Sequence, residues 1–460
     1  MQLMLLLALA HLLIVSGDFN PGVFDSKADP QAIYQYVNDP VVVNATRVVQ
    51  ALPDPSHPGG LLHQPPPQLS GNTVVGLATY SFFMSGFQRL VGSLRVAANF
   101  TGNIILGVSP DISTAELGYL KSMDVTLYTI EVSDCDSRFY GPGVSSSRKK
   151  DKDKRVGGGL MRGRCVKGLE HLKIEMARFE LARQWLHACP NCDGWALVMD
   201  TRDVIFQSDP LAALGDPSTA FVNLLFIEEI SPHTSPIKDP RRSFVAGNSR
   251  SNAHTTPCYG HSTFDTYAQR PVLNSGTVIG TRAGIQRFLS VLVDEFTQKA
   301  TRSPNKKCRS PFTTDQWTMN WLYYNGRFGE VARTATMPWG LGPVLTLGKA
   351  CVGADRRMGA SDIVQPQQPR GGGGGGGLWI LNRFTGQPAA VVHQWDRCGE
   401  WVREWMRSRP DLFLLPAREM PPPAARAGLG LDAEGGAEAA GGEGASAEEQ
   451  EPEEDKEKKR

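Results

Sequence analysis

Short apolar runs alternate with helical periodicity along the middle of the chain. The runs NTVVGLATYS, NIILGVS and DVTLYTIEV have the length and composition of buried strands. Between them, SGFQRLVGSLRVAANF and STAELGYLKSM repeat their apolar residues at helical spacing. Such alternation is typical of β-α-β units on a mostly parallel sheet. The pattern therefore predicts an α/β fold in which helices flank that sheet.

The same alternation resumes after a charged interruption, SSSRKKDKDKRVGGG. The segment KGLEHLKIEMARFELARQWLHAC predicts one long helix that leads into the strand WALVMD. Further strands and helices are predicted in order: strand FVNLLFIEEI, strand VLNSGTVIG, helix RAGIQRFLSVLVDEFTQKA, helix TTDQWTMNWLYYNG, and a last strand pair of LWILNR and AAVVHQWD. All of these belong to one α/β domain.

Stretches of biased composition divide the chain into segments. Residues 1–17 are apolar and uncharged but shorter than the about 20 residues that span a bilayer, which predicts a signal peptide, with a signal-anchor as the alternative. Residues 18–72 are rich in proline and predict an extended stem, and residues 73–416 form the globular domain. Loop insertions are predicted at 141–165 and 352–377, and 417–460 predicts a disordered acidic tail.

Composition narrows the class of protein and its compartment. Lys and Arg total 48 against 47 Asp and Glu, which argues against a nucleic-acid-binding protein, because phosphate neutralisation needs an excess of cations. The eight cysteines permit up to four disulfides in an oxidising lumen, with connectivity left open. Asn44 and Asn99 fit the N-glycosylation pattern. We therefore expect a protein of the secretory pathway, in the Golgi or ER lumen or secreted.

Two acids lie where the strand WALVMD ends, in the run DTRDVIFQSDP. Ligands of open α/β sheets bind beyond the carboxyl ends of strands, where Asp200 and Asp203 lie. Buried carboxylates need a positive partner. That partner is either Arg202, which lies between them and would form an internal ion pair, or a hard divalent cation whose remaining ligands are substrate phosphates. We favour the metal.

This segment resembles the metal-binding motif of nucleotide-sugar glycosyltransferases with the GT-A fold. The glycogenin-like branches have the pattern hhhDxDhhhxxDP, and the spacing from Asp203 to Asp209-Pro210 is kept here. Asp200 lies three residues before Asp203 instead of two, as in a set of eukaryotic glycosyltransferases that carry DxRD at this point. The resemblance implies a GT-A, Rossmann-like domain over 73–416.

Three later motifs follow in the order that this family has. Asn274-Ser275-Gly276 ends a strand and resembles the Asn-Ser-Gly element near the donor sugar, although alone it is equally well an ordinary turn. Asp315-Gln316 opens a helix, which the helix dipole would also favour, and resembles an Asp-Gln pair near the transferred sugar.

His393, at the end of an apolar strand, would alone be assigned a structural role. In the resemblance it is the histidine that joins the two acids on the metal, and a mixed oxygen and nitrogen ligand set suits Mn²⁺ better than Mg²⁺. Thr79 and Tyr80 fall where such enzymes begin their nucleotide pocket.

The resemblance implies a metal-dependent transfer of sugar from a nucleotide-sugar donor, a UDP-sugar first among them, to the hydroxyl of a glycan or glycoprotein. Asp200, Asp203 and His393 would bind Mn²⁺ or Mg²⁺, and Asp315 and Gln316 would be catalytic. Residues that would bind the substrate are Thr79, Tyr80, Arg202, Asn274, Ser275 and Gly276. Lys173 and Arg178 on the preceding helix are further candidates for the diphosphate.

Two other functions are compatible with the sequence. A glycosidase also uses two carboxylates, and a lumenal carbohydrate-binding relative would keep the fold but lose the metal. No nucleic acid is expected as a partner, and a membrane only if residues 1–17 stay attached as an anchor.

Overall fold

The computed structural model describes residues 60–79 without 67 and 69, 84–136, 164–230, 245, 256–302, 308, 314–351, 364–366, 378–398 without 383 and 384, 400–407 and 409. The predicted segments 1–17 and 417–460 and most of the stem lie outside these residues. Among the helices in the described part of the chain, none combines the length and the apolar character that crossing a bilayer requires.

The described residues contain strands and helices in the alternating order that the sequence predicts. The strands are β1 Leu61–His63, β2 Thr73–Ala78, β3 Asn103–Val108, β4 Val125–Thr129, β5 Val132–Ser133, β6 Cys165–Val166, β7 Leu169–Lys173, β8 Trp195–Met199, β9 Val204–Phe206, β10 Leu224–Ile230, β11 Val272–Thr281, β12 Thr334–Met337, β13 Val344–Thr346, β14 Val364–Pro366, β15 Leu378–Ile380 and β16 Val391–His393. The α-helices are α1 Met84–Phe87, α2 Thr114–Ser122, α3 Ile174–Ala188, α4 His261–Asp265, α5 Arg282–Arg302, α6 Thr314–Tyr324, α7 Gly348–Cys351 and α8 Glu400–Arg407. A π-helix, Gln88–Ala97, continues α1, and short 3₁₀ turns occupy Ala212–Leu214, Pro217–Thr219 and Trp395–Arg397.

A central sheet of eight strands has the order β1-β4-β3-β2-β8-β11-β10-β12. Parallel pairing joins β4, β3, β2 and β8 in this order, and it also joins β10 to β12. Two strands are antiparallel: β11 to both of its neighbours, and β1 to β4. The predicted α/β fold with a mixed, mostly parallel sheet is confirmed. Because β11 is reversed, its first residues lie at the carboxyl edge of β8.

Helices α3 and α5 cover one face of this sheet with aromatic side chains. Trp185 of α3 stacks on Tyr128 of β4 with ring centroids 5.2 Å apart, and Phe179 meets Phe288 of α5 edge to face. These side chains are buried, and burying an aromatic residue stabilises a fold by about 1.5–3 kcal/mol. The packing fixes α3 against the strands that end near Asp200.

A second sheet has the order β13-β16-β9 and was only partly predicted from the sequence. Strand β16 runs parallel to β13 and antiparallel to β9, so that His393 lies opposite both Thr346 and Val204. Its strands β9 and β13 have three residues each, too short for a periodicity to show. The predicted pairing of LWILNR with AAVVHQWD is wrong except for one bridge, Leu381 to Pro388, since β15 pairs with β14 instead.

Three other boundaries differ from the expectation. The predicted helix at KGLEHLKIEM starts only at Ile174, because Leu169–Lys173 pairs with β6 as strand β7. Leu61–His63, assigned to the stem, forms the edge strand next to β4. Val364–Pro366, assigned to a loop insertion, is a strand. In each case pairing with another strand decides the structure, and local composition does not reveal it.

The eight cysteines form four disulfides, as the sequence permits. The pairs are Cys135–Cys165, Cys189–Cys192, Cys258–Cys308 and Cys351–Cys398. The pair Cys189–Cys192 closes the turn between α3 and β8.

Candidate metal centre

Asp200, Asp203 and His393 converge at the carboxyl edge of the central sheet. Nε2 of His393 lies 3.8 Å from Oδ1 of Asp203 and 4.0 Å from Oδ2 of Asp200, and one ligand atom from each residue lies within 4.8 Å of the other two. Two ligands bound about 2.2 Å from one ion are about 3 to 4 Å apart. The three side chains therefore fit a single divalent cation.

The local backbone explains why these residues meet. Asp200 directly follows β8 and Asp203 directly precedes β9, while His393 is the last residue of β16 and is paired with Val204. The backbone N–H of Gln394 donates to the carbonyl of Asp203 at 2.8 Å, which extends this pairing by one residue. The antiparallel register alone places the histidine beside the second acid.

His393 is fully buried and suited to ligation. Burial lowers its pKa to about 4, against the raising effect of Asp203, so the imidazole is neutral at physiological pH. Its Nδ1 lies 3.3 Å from the hydroxyl of Thr346, while Nε2 has no hydrogen-bond partner. A neutral ring held at Nδ1 with Nε2 free is the arrangement of a metal-ligating histidine.

Gly276 leaves room beside these ligands. A Cβ at this position would lie 2.6 Å from Oδ2 of Asp200 and 2.9 Å from Nε2 of His393. The Asn274-Ser275-Gly276 motif lies near the start of β11 and not at a strand end, as the sequence had suggested; the reversed direction of β11 brings it to the same edge. The carbonyl of Gly276 accepts from the N–H of Asp200 at 2.7 Å.

Asn274 is buried, like the other two residues of that motif. Its Oδ1 accepts from the N–H of Gly276 at 2.6 Å, and its Nδ2 is buried without a hydrogen-bond partner. A buried unpaired amide donor is costly unless a ligand accepts from it. Asn274 therefore offers a donor beside the metal ligands.

Asp315 joins the site through an arginine. Nη2 of Arg178 lies 2.9 Å from Oδ2 of Asp315, and Nη1 forms an ion pair with Oδ1 of Asp200. Ser275 adds a hydrogen bond from its hydroxyl to Oδ2 of Asp315 at 3.1 Å. Asp315, at the start of α6, is thus linked to Asp200 through the guanidinium of Arg178.

Gln316 is hydrogen-bonded to another acid of this region. Its Nε2 donates to a carboxylate oxygen of Glu229, which is buried at the end of β10. Glu229 also acts electrostatically on His393, raising its pKa slightly against the effect of burial. Glu229 belongs to the site but was not identified from the sequence. It lies at the end of the apolar run LLFIEEI, and an acid at the end of an apolar strand is the same feature that identified Asp200.

Arg202 lies at the exposed rim of the centre. Its Nη2 is 3.8 Å from Oδ2 of Asp203 and 3.4 Å from Oδ2 of Asp396, and its side chain is 58% exposed. Burial, followed by the charge of Asp203, raises the pKa of Asp396. The ion pair considered from the sequence thus exists, but exposure makes it weak.

The remaining candidates lie around this group or outside the described residues. Thr79 directly follows β2, is buried, and has a hydroxyl without a hydrogen-bond partner. Tyr80 lies outside the described residues. Lys173 is buried where β7 meets α3. Asp209 accepts from the N–H groups of Leu211 and Ala212 at 2.8 and 3.2 Å, so it shapes a turn.

Comparisons with known proteins bear on the fold only. No family model matches the chain, and no curated protein matches it significantly in sequence. Among solved structures, the galactosyltransferase LgtC in complex with donor and acceptor sugar analogues is 12% identical, with 75% of this chain and 98% of that chain covered at a TM-score of 0.36.

Two fungal structures are also similar. The core-mannan synthase CmsA from Aspergillus fumigatus, in its Mn/GDP form, is 11% identical, with 52% of this chain and 68% of that chain covered at a TM-score of 0.25. The mannosyltransferase Ktr4p from S. cerevisiae in complex with GDP is 11% identical, with coverages of 71% and 77% and a TM-score of 0.24. At these levels the function has to be argued from the chain's own residues.

Proposed function

We propose that this protein is a metal-dependent glycosyltransferase that transfers a sugar from a nucleoside-diphosphate sugar to an acceptor hydroxyl. The observation that supports it is the convergence of Asp200, Asp203 and His393 around the side-chain-free position Gly276. Two carboxylates and one imidazole form a mixed oxygen and nitrogen ligand set that suits Mn²⁺, with Mg²⁺ as the alternative. UDP-sugars are the first donors to test.

The chemistry follows from where negative charge develops. As the bond between the sugar and the diphosphate breaks, the leaving diphosphate gains charge, which a bound divalent cation stabilises as a Lewis acid. The protein's own contribution is to hold Asp200, Asp203 and His393 in place and to provide cations at the rim. Arg202 is the exposed cation beside Asp203 and is suited to a phosphate oxygen.

The sugar would lie against the start of β11 and α6. Asn274 offers its unpaired Nδ2 to a sugar hydroxyl, and Asp315 offers carboxylate oxygens fixed by Arg178 and Ser275. If the reaction inverts the anomeric centre, Asp315 accepts the proton of the acceptor hydroxyl; if it retains the configuration, Asp315 orients the sugar. Gln316, bonded to Glu229, then positions Glu229 instead of touching the reacting atoms.

The site is less well suited to glycoside hydrolysis. A glycosidase needs one carboxylic acid that holds a proton for the leaving group. Asp200 and Asp315 both form ion pairs with Arg178. Asp396, whose pKa burial raises, lies 3.4 Å from Nη2 of Arg202, so each of these acids has a cation beside it. A carbohydrate-binding protein without turnover would have no use for the ligand geometry around His393.

The biological setting is part of the proposal. Four disulfides favour an oxidising compartment, the Golgi or ER lumen or the exterior of the cell, with a glycan or glycoprotein as acceptor. The division into a signal segment 1–17, a stem 18–72, a catalytic domain 73–416 and a tail 417–460 is proposed with it. Its catalytic domain gains the edge strand at Leu61–His63.

Hydrolysis of UDP- and GDP-sugars with Mn²⁺ or Mg²⁺ tests the activity. We expect slow, metal-dependent release of nucleoside diphosphate from one donor, and a loss of at least about 100-fold in Asp203→Asn. Asp111→Asn, at an exposed position, is the matched control and should behave like the wild type. If no donor is hydrolysed and sugar binding is the same with and without Mn²⁺, the protein is a carbohydrate-binding protein instead.

A further inference from the structure

Arg178 lies between two carboxylates that come from different elements. Its side chain is 13% exposed and extends from α3, with Nη1 on Oδ1 of Asp200 and Nη2 2.9 Å from Oδ2 of Asp315. Nη2 also donates to the carbonyl of Ser275 at 3.3 Å, and the guanidinium lies 4.4 Å from the ring centroid of Phe179. The cation is thus held by contacts on several sides.

One oxygen of Asp200 faces Arg178, and the other faces the position where the divalent cation would bind. Oδ1 bonds to Arg178, whereas Oδ2 faces Nε2 of His393 at 4.0 Å, where the cation would bind. One carboxylate charge would therefore serve both the guanidinium and the divalent ion. Positive charges held this close repel each other, and with Arg178 13% and Asp200 36% exposed, water screens this repulsion only in part.

The exposed cation beside Asp203 does not have this effect. Arg202 lies 3.8 Å from Oδ2 of Asp203 and is 58% exposed, so solvent and salt screen its charge. Asp203 itself is buried, and Arg202 approaches it only from the exposed rim. Arg178 is the partly buried competitor for the charge of the first acid.

We propose that Arg178 makes binding of the divalent cation depend on the diphosphate, an inference that rests on the proposed function. Arg178 competes with the ion for Asp200 and lowers the affinity for the free ion. A diphosphate brings negative charge of its own, which offsets the guanidinium and restores the affinity. The ion therefore binds firmly only together with the nucleotide, and Arg178 is the residue that sets this order.

Binding of Mn²⁺ to the full chain, followed by electron paramagnetic resonance of the free ion, tests the proposal without any turnover. We expect Arg178→Gln to bind free Mn²⁺ about tenfold more tightly than the wild type. Added UDP should then increase Mn²⁺ affinity less in this variant than in the wild type. Arg178→Lys, which keeps the charge, should stay close to the wild type.

A matched control lies on the same helix. Arg183 is paired with Glu180, its Nε 2.7 Å from Oε2, and Arg183→Gln should leave Mn²⁺ binding unchanged. Circular dichroism shows whether Arg178→Gln folds. If it does not, Arg178→Met replaces it in the experiment, since methionine keeps much of the side-chain length against Phe179. A neutral variant that binds free Mn²⁺ no more tightly than the wild type overturns the proposal.

The test separates this inference from the proposed function. If the wild type binds Mn²⁺ in the presence of UDP but the neutral variants gain nothing, only the role of Arg178 is refuted. If no folded variant binds Mn²⁺ with or without UDP, the metal-dependent transferase itself is refuted, and the inference with it.

Discussion

The backbone of Gly276 is hydrogen-bonded to that of Asp200, the first acid of the candidate metal centre. The carbonyl of Gly276 accepts from the N–H of Asp200 at 2.7 Å, and a Cβ added at 276 would lie 2.6 Å from Oδ2 of Asp200. The backbone of β11 is therefore one wall of the metal centre. A side chain at this position would occupy space that the ligands need.

Gly276→Ala is accordingly expected to lower the affinity for Mn²⁺, in the presence of UDP, by at least about tenfold. The added methyl group should also destabilise the fold by about 1–3 kcal/mol through overpacking. Isothermal titration calorimetry and thermal unfolding measure the two effects. The control is Gly118→Ala on α2, where a Cβ meets nothing within 4 Å and the substitution should stabilise the helix by about 0.5–1 kcal/mol. Unchanged Mn²⁺ binding in Gly276→Ala would contradict the assigned geometry.

The hydroxyl of Thr346 is expected to orient the ligating histidine. It lies 3.3 Å from Nδ1 of His393, and removing such an outer partner typically lowers metal affinity by about 10- to 100-fold. Thr346→Val should show this loss in the presence of UDP, while Thr346→Ser, which keeps the hydroxyl, should bind Mn²⁺ nearly as well as the wild type. Equal affinities in the two variants would mean that the contact does not orient the ring.

Lys299 is expected to make stability depend on pH. Its side chain is only 11% exposed, with Nζ 3.1 Å from the hydroxyl of Thr318, 3.8 Å from Oε1 of Glu295 and 3.8 Å from the ring centroid of Tyr259. Desolvation lowers its pKa to about 7. Between pH 7 and the ordinary value of 10.5 the unfolded chain binds the extra proton. The free energy of unfolding should therefore rise with pH in this window, by at most about 1.4 kcal/mol per pH unit.

The contribution of Lys299 is isolated by comparing the wild type with Lys299→Met. Denaturant unfolding at pH 7, 8 and 9 should show the wild type gaining stability relative to the variant as the pH rises. A difference between the two proteins that stays constant over this range would show that Lys299 titrates as in an ordinary solvated side chain.

The disulfides are expected to differ in their effect on the metal centre. Cys351–Cys398 closes a separation of 47 residues around His393, whereas Cys189–Cys192 closes one of 3 residues. Loop-closure entropy assigns about 4 kcal/mol to the first and about 1.6 kcal/mol to the second. Replacing Cys351 and Cys398 by serine should lower both stability and Mn²⁺ affinity, measured with UDP present.

The double serine variant at Cys189 and Cys192 is the control and should keep its Mn²⁺ affinity. If both double variants bind the ion like the wild type, the C-terminal disulfide does not support the histidine.

Much of the central sheet could be predicted because its strands are long apolar runs separated by helical spacing. Asp200 and Asp203 could be identified because charged residues at the end of a buried strand need a partner. The closeness of His393 followed from family resemblance only, since the short strand that places it has no periodicity of its own. Glu229 ends an apolar run as Asp200 does and could have been identified in the same way, whereas the contact between Thr346 and His393 depends on a pairing of β13 with β16 that a single sequence does not reveal.

Strand β16 and its pairing with β9 have a consequence for biosynthesis. The two strands are hydrogen-bonded, yet His393 follows Asp203 by 190 residues. At a synthesis rate of 5–20 residues per second, the ribosome needs about 10 to 40 seconds to pass from the second acid to the histidine. During that interval the nascent polypeptide contains the two acids of the candidate metal centre but not yet its histidine. Any product that stops before β16 would contain all eight strands of the central sheet, yet it would lack both the imidazole and the middle strand of the second sheet.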